Sequence, residues 1–173
     1  MTSTRRTILR GALAGAAASL LAGCGALGTA KTTLGKVMTL VGLGGVRLSW
    51  TEVVISAADN ANQNTAAAVD VVLVLEESMV EKVAALPAQK WFQTKHDLLR
   101  TYPAALTVRS FEVAPGQILR VPGERFGTPN VIAVFVFADY LSPGDHRTKV
   151  EQLSGGIMID LGAREFTVAA LQT

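Results

Sequence analysis

The sequence predicts a mainly β protein, a β-sandwich with one short helical insert over about residues 79–101. Three observations predict it. Short runs rich in Val, Ile, Thr and Phe recur between turn-forming clusters. Two of these runs, Val71–Val74 and Ile132–Phe137, are apolar at successive positions, the pattern of a strand covered on both faces. A single amphipathic stretch interrupts the series.

The elements follow in order. Trp50–Ala57, with Thr51, Val53, Val54 and Ile55, reads as the first strand, at a sheet edge where a preceding segment leads in. Asp59–Thr65 is an amide-rich loop. Ala67–Glu76 is the second strand, with Val69, Val71, Leu73 and Leu75 on one face and Asp70, Val72, Val74 and Glu76 on the other, which suits a central position. Ser78 and Glu81 have capping-box spacing and predict a helix from Met79. Pro87 closes it or opens another, in which Trp91, Phe92, Lys95, Leu98, Leu99 and Tyr102 share a face until Pro103.

Beyond Pro103 the pattern is strand-like. In Leu106–Val113 the apolar set changes phase, from Leu106 and Val108 to Phe111 and Val113, which predicts a bulge near Arg109–Ser110. Ala114–Gln117 is a turn into Ile118–Val121, and residues 122–129 form a Gly/Pro-rich loop. Asn130–Tyr140 reads as one strand, Leu141–His146 as a turn, and Gly156–Leu161 with Glu165–Ala170 as a closing hairpin.

The N-terminus carries a different message. Arg5, Arg6 and Arg10 precede a modestly apolar run, Gly11–Leu21, too short to span a bilayer core of about 30 Å. Residues 1–23 therefore read as a signal peptide. The arginine pair suits either general or twin-arginine export. Leu21-Ala22-Gly23-Cys24 resembles the bacterial lipoprotein box, in which the cysteine thiol receives a diacylglycerol before cleavage. Cys24 is the only cysteine in the chain, and its acylation would leave no thiol. Gly25 stands where an aspartate would signal inner-membrane retention, so the resemblance implies the inner leaflet of the outer membrane, facing the periplasm. Residues 24–49 then form a lipidated N-terminus and tether, part of which should pack on the 50–173 domain or on a partner.

Removing residues 1–23 takes three of the 16 basic side chains and none of the 14 acidic ones, leaving 13 against 14. Without a basic excess, nucleic acid is not an expected partner. Catalytic and metal chemistry find little purchase. His96 and His146 have no nucleophile or carboxylate at working spacing, so no enzyme activity and no cofactor are expected. Asn60-x-Asn62-x-Asn64 lacks the glycine and final glutamate of a calcium loop, with Thr65 and Val71 in those places. Trp91, Phe92 and Phe126 could line a ligand cradle, though at helical spacing Trp91 and Phe92 suit a core. A lipoprotein binding a small ligand or cell-wall component stays open on that feature. Arg120, Glu124, Arg125 and Phe126 in the second long loop offer a mixture suited to protein contact.

Taken together, the lipoprotein box, the Asn-rich loop, Val69-Asp70-Val71-Val72-Leu73-Val74, the helical insert, Val113-Ala114-Pro115-Gly116 and Ile132-Ala133-Val134-Phe135 resemble the outer-membrane lipoprotein of type VI secretion, the TssJ or SciN family. Leu75-Glu76-Glu77 and His146-Arg147 depart from the family pattern and mark a divergent member. The resemblance implies a transthyretin-like β-sandwich. It also implies a structural tether without catalysis, anchored through N-terminal acyl chains and binding the periplasmic domain of an inner-membrane protein of TssM type. Carried onto this chain, the family's loop use makes Asp59, Asn60, Asn62 and Asn64 the expected partner contacts.

Overall fold

The computed structural model of the 173-residue chain describes residues 44–171. The expectations placed on residues 1–23, on Cys24 and on residues 25–43 lie outside them. Ten strands are formed: β1 (Val46–Arg47), β2 (Ser49–Ala57), β3 (Ala67–Val74), β4 (Leu106–Val113), β5 (Ile118–Pro122), β6 (Asn130–Val131), β7 (Ala133–Ala138), β8 (Arg147–Lys149), β9 (Ser154–Leu161) and β10 (Phe166–Ala170). Two helices, α1 (Glu77–Ala84) and α2 (Ala88–Thr101), sit between β3 and β4.

The strands make two four-stranded sheets, ordered β10-β9-β2-β5 and β4-β3-β7-β8, with β1 and β6 paired as a small ribbon. All pairings are antiparallel except β2 with β9. The mainly β sandwich with a helical insert is thus the observed architecture.

Alternation along β3 and β7 explains why both are apolar on two sides. Val69, Val71 and Leu73 of β3, with Val134 and Val136 of β7, join Val53, Ile55, Ile157 and Ile159 between the sheets. Their neighbours Val72, Val74, Phe135 and Phe137 face outward and are covered by Met79 and Val83 of α1 and Trp91 of α2. The fold is therefore three layers deep: sheet, sheet, helices. Each fully buried Val or Phe contributes about 1.5–3 kcal/mol of transfer free energy, which is how α1 and α2 are held.

Several local expectations are corrected. β4 pairs with β3 in unbroken register from Ala67↔Val113 to Val74↔Leu106, so it has no bulge near Arg109–Ser110. Its change of phase has another cause: Leu106 and Val108 pack under the helices, whereas Phe111 and Val113 face the sandwich interior. The bulge lies instead in β2, between Trp50 and Glu52, and lets both Trp50 and Val53 point inward. β2 is an interior strand, not an edge. Leu48 is buried, and its amide donates to the Pro129 carbonyl at 2.9 Å, so the segment leading into β2 packs on the domain. The single strand expected over Asn130–Tyr140 breaks at Ile132, whose amide donates to Val74 O at 2.8 Å. Ser78 does not cap α1. Glu76 holds that position in extended conformation without a side-chain cap, and the helix starts two residues earlier than the box predicts.

A 3-10 turn, Gly123–Phe126, folds over the bulge and seats Phe126 edge-on against Trp50 at 5.2 Å. Gly123 lies so close to β2 that a Cβ there would overlap the Trp50 carbonyl. Backbone cannot yield as a side chain can. Gly123→Ala is expected to cost about 1–3 kcal/mol, the scale of overpacking. A chemical-denaturation midpoint within error of wild type would contradict this close approach.

Candidate docking site at the loop end of the sandwich

Strand directions sort the connections onto two ends. The segment before β2 and residues 123–132 gather at one, the entry end. The loops 58–66, 114–117, 139–146 and 162–165 gather at the other, the loop end.

The Asn-rich segment Ala61–Asn64 forms a tight turn in which Asn62, Gln63 and Asn64 have φ of 44°, 58° and 63°. Three successive left-handed residues are rare, and asparagine tolerates this conformation best. The turn is held from outside. Asn62 N donates to Gly162 O at 3.0 Å and Gln63 N to Ala163 O at 3.2 Å, tying it to the β9–β10 turn. The Asn62 side chain faces inward: Nδ2 donates to Ala66 O (3.1 Å) and Asp139 O (3.3 Å), and Oδ1 accepts from Leu141 N (2.8 Å). Both amide donors and the carbonyl are thus occupied, and the residue is 2% exposed. Asn62 offers a partner no free group. Of the four expected contacts it is the one withdrawn, and its work is to clamp two loops together.

Asp59, Asn60 and Asn64 are exposed, as is Gln63 beside them. The structure adds Leu141, 65% exposed, and Arg164 to this surface. Between them lies an open cleft of about 680 Å³, lined among others by Gln63, Leu141, Ser142, His146, Arg164 and Phe166. A leucine in a turn carries no sequence pattern that would mark Leu141. Its position became legible only through Asn62.

The neighbouring polar groups are fasteners. Ser142 Oγ donates to Arg164 O at 2.8 Å. His146 Nε2 lies 2.7 Å from Ser142 O, and because a carbonyl only accepts, Nε2 carries a proton and cannot act as base toward the Ser142 hydroxyl, 3.4 Å away. Tyr140 stacks on the His146 ring at 4.7 Å and its hydroxyl donates toward Glu165 O (2.9 Å) and Gly162 O (3.1 Å). Burial pushes the Tyr140 phenol up to about 12, with a further rise from Glu165. A phenol that binds its proton more tightly in the folded state adds stability that is complete below pH 10 and is lost between pH 10 and 12. Tyr140→Phe is expected to lose that alkaline step in a pH series of thermal melts. Persistence of the step in the variant would assign it to another group.

His96 is exposed on α2 and does not line the loop-end cleft. No group of three or more His, Cys, Asp or Glu among the described residues could hold a metal ion. The aromatic cradle is not assembled: Trp91 stacks on Phe137 at 4.9 Å under the helices, while Phe126 lies between the sheets, on the other side of β3. Arg120 lies in β5, not in the second long loop, and pairs with Glu52 at 3.0 Å, while in that loop the Arg125 carbonyl accepts from Arg109 at 2.7 Å. That loop stands at the entry end.

Two packed sheets, a helical layer on one of them and a loop-built end define a class, a β-sandwich three layers deep. Solved structures with this fold include the type VI secretion lipoprotein TssJ1 from Pseudomonas aeruginosa, at 19% identity and a TM-score of 0.51, over 71% of this chain and 98% of that one. They include Lip from Serratia marcescens, a membrane-bound component of the type VI secretion system, at 15% identity and 0.51, over 74% and 100%. A chain from the structure described as the TssM C-terminal domain from EAEC matches at 13% identity and 0.50, over 73% and 100%. No protein-family model and no curated protein matches the sequence. At these identities the likeness is one of fold, and the chain is a TssJ-like β-sandwich of diverged sequence.

Proposed function

We propose that the protein is an outer-membrane lipoprotein that tethers an envelope-spanning secretion complex. Acyl chains on Cys24 hold the entry end at the inner leaflet, facing the periplasm. The loop end, through Asp59, Asn60, Gln63 and Asn64, binds the periplasmic domain of an inner-membrane component of TssM type. One observation carries this reading: β2 runs nine residues from the entry segment directly to the Asn-rich loop, about 30 Å at ~3.3 Å per residue. A chain that enters at one end of a rigid strand and a docking loop at the other end are what a tether needs. Support also comes from the hydrogen bonds that fix the loops before any partner arrives, which lowers the entropy cost of docking.

Anchoring is tested by Cys24→Ser. The wild-type protein is expected to fractionate with outer membranes and to carry the mass of its acyl chains, since one chain holds only marginally and several hold firmly. The variant is expected in the soluble periplasmic fraction or uncleaved. Outer-membrane retention of a cleaved, unacylated variant would overturn the anchor.

A further inference from the structure

Four strands stand at the edges of the two four-stranded sheets, and three are guarded. β8 has three residues, two of them Arg147 and Lys149; β5 carries Arg120 and ends in Pro122; β4 carries Arg109 and Glu112. Charge, brevity and proline are the usual means of keeping an edge from pairing. β10, Phe166-Thr167-Val168-Ala169-Ala170, has none of them. Among the described residues it pairs only with β9.

The direction of its free groups follows from the ladder. Gly162 N donates to Glu165 O and Leu171 N to Gly156 O, both at 2.9 Å, at the two ends of the β9–β10 register. Residues in an antiparallel strand bond alternately to one side and the other. Thr167 and Ala169 therefore bond to β9, whereas Phe166, Val168 and Ala170 turn their N–H and C=O groups outward. That is a row of six backbone groups, in donor–acceptor pairs, along an uncharged strand.

We infer that β10 is a strand-addition site for an extended, uncharged segment of the partner that docks on the loop end. This rests on the reading of the loop end as a docking site. Continuity selects the occupant, since Phe166 both lines the loop-end cleft and begins β10, so a segment leaving that cleft runs onto the open edge. Its inward side chains meet Val168 and Ala170, beside a groove of about 240 Å³ that Val150 and Ile157 also line. The only charges lining that groove, Lys149 and Glu151, face each other at 3.4 Å, leaving no net charge for the segment to match. A second copy is the poorer fit. Two-fold antiparallel pairing of β10 would point the two entry ends in opposite directions, and both could not face one membrane.

Proline separates the edge from the fold. Val168→Pro removes an outward N–H and no bond to β9, the setting in which edge strands accept proline. Ala170→Pro, at an exposed position, does the same with less disturbance of packing. The probe is the recombinant periplasmic domain of the TssM-type protein from the same organism, titrated against the mature chain. Both variants are expected to melt as cooperatively as wild type and to bind at least about tenfold more weakly, because main-chain bonds supply affinity in strand addition. In the wild-type complex the amides of Phe166, Val168 and Ala170 become protected from hydrogen exchange. Unchanged affinity in either folded variant overturns the inference. So does protection of those amides in the free chain, which would assign the edge to the protein's own residues or, if it grows with concentration, to a second copy. Failure of the wild type to bind the domain overturns the docking reading and this inference with it.

Discussion

Replacing Asp70 by alanine is expected to destabilise the domain by about 3–5 kcal/mol, the range for removing one member of a buried charge pair. Asp70 is fully buried on the helix-facing side of β3. Its Oδ2 accepts two hydrogen bonds from α2, from Trp91 Nε1 and from Lys95 Nζ, both at 2.8 Å. Truncation leaves a buried indole N–H and a nearly buried ammonium, 16% exposed, without an acceptor. These bonds join α2 to the central strand, so the helical layer should loosen first. Asp70→Asn keeps an oxygen where Oδ2 stands and is expected to lose less than the alanine variant. Urea midpoints for the two variants check both claims, and an alanine variant within about 1 kcal/mol of wild type would remove this pair from the account of the fold.

Asn62→Ala is expected to cost about 3 kcal/mol and to weaken partner binding although the side chain touches no partner. Its amide satisfies the Ala66 and Asp139 carbonyls and the Leu141 N–H, each a group that costs ~1–3 kcal/mol if buried and unpaired, less where water enters. Alanine at φ 44° adds strain that asparagine tolerates better. Hydrogen exchange localises the effect: faster exchange at Leu141 and in the Asn-rich turn, with α2 unchanged. A variant as stable as wild type would mean that water replaces the side chain at no cost.

Much of the architecture was legible because burial imposes period. The two-faced apolar runs at Val71–Val74 and Ile132–Phe137 announced strands covered on both sides, and the Trp91, Lys95, Leu98 face announced the helix that covers one of them. Asp70 and Lys95 could have been paired in advance. A lone acid in an apolar strand needs a partner, and Lys95 is the cation on the helix's buried face. Other features depend on distant chain. The parallel β2–β9 pair joins residues more than a hundred positions apart, and no local pattern marks it. The phase change in β4 looked like a bulge because alternation reports that a face is covered, not by which layer. At the candidate site, composition marked the Asn-rich loop but not the direction of each amide. Asn62 turns inward because its acceptors and donor sit at residues 139 and 141, some eighty positions away.

The tether account is tested most directly at the exposed amides. The soluble mature chain with Asp59, Asn60, Gln63 and Asn64 all replaced by alanine, leaving Asn62 in place, is titrated with the periplasmic domain of the TssM-type protein by calorimetry. The account predicts a folded variant whose binding falls by at least about a hundredfold, some 2.7 kcal/mol. Wild-type affinity in that variant would contradict it.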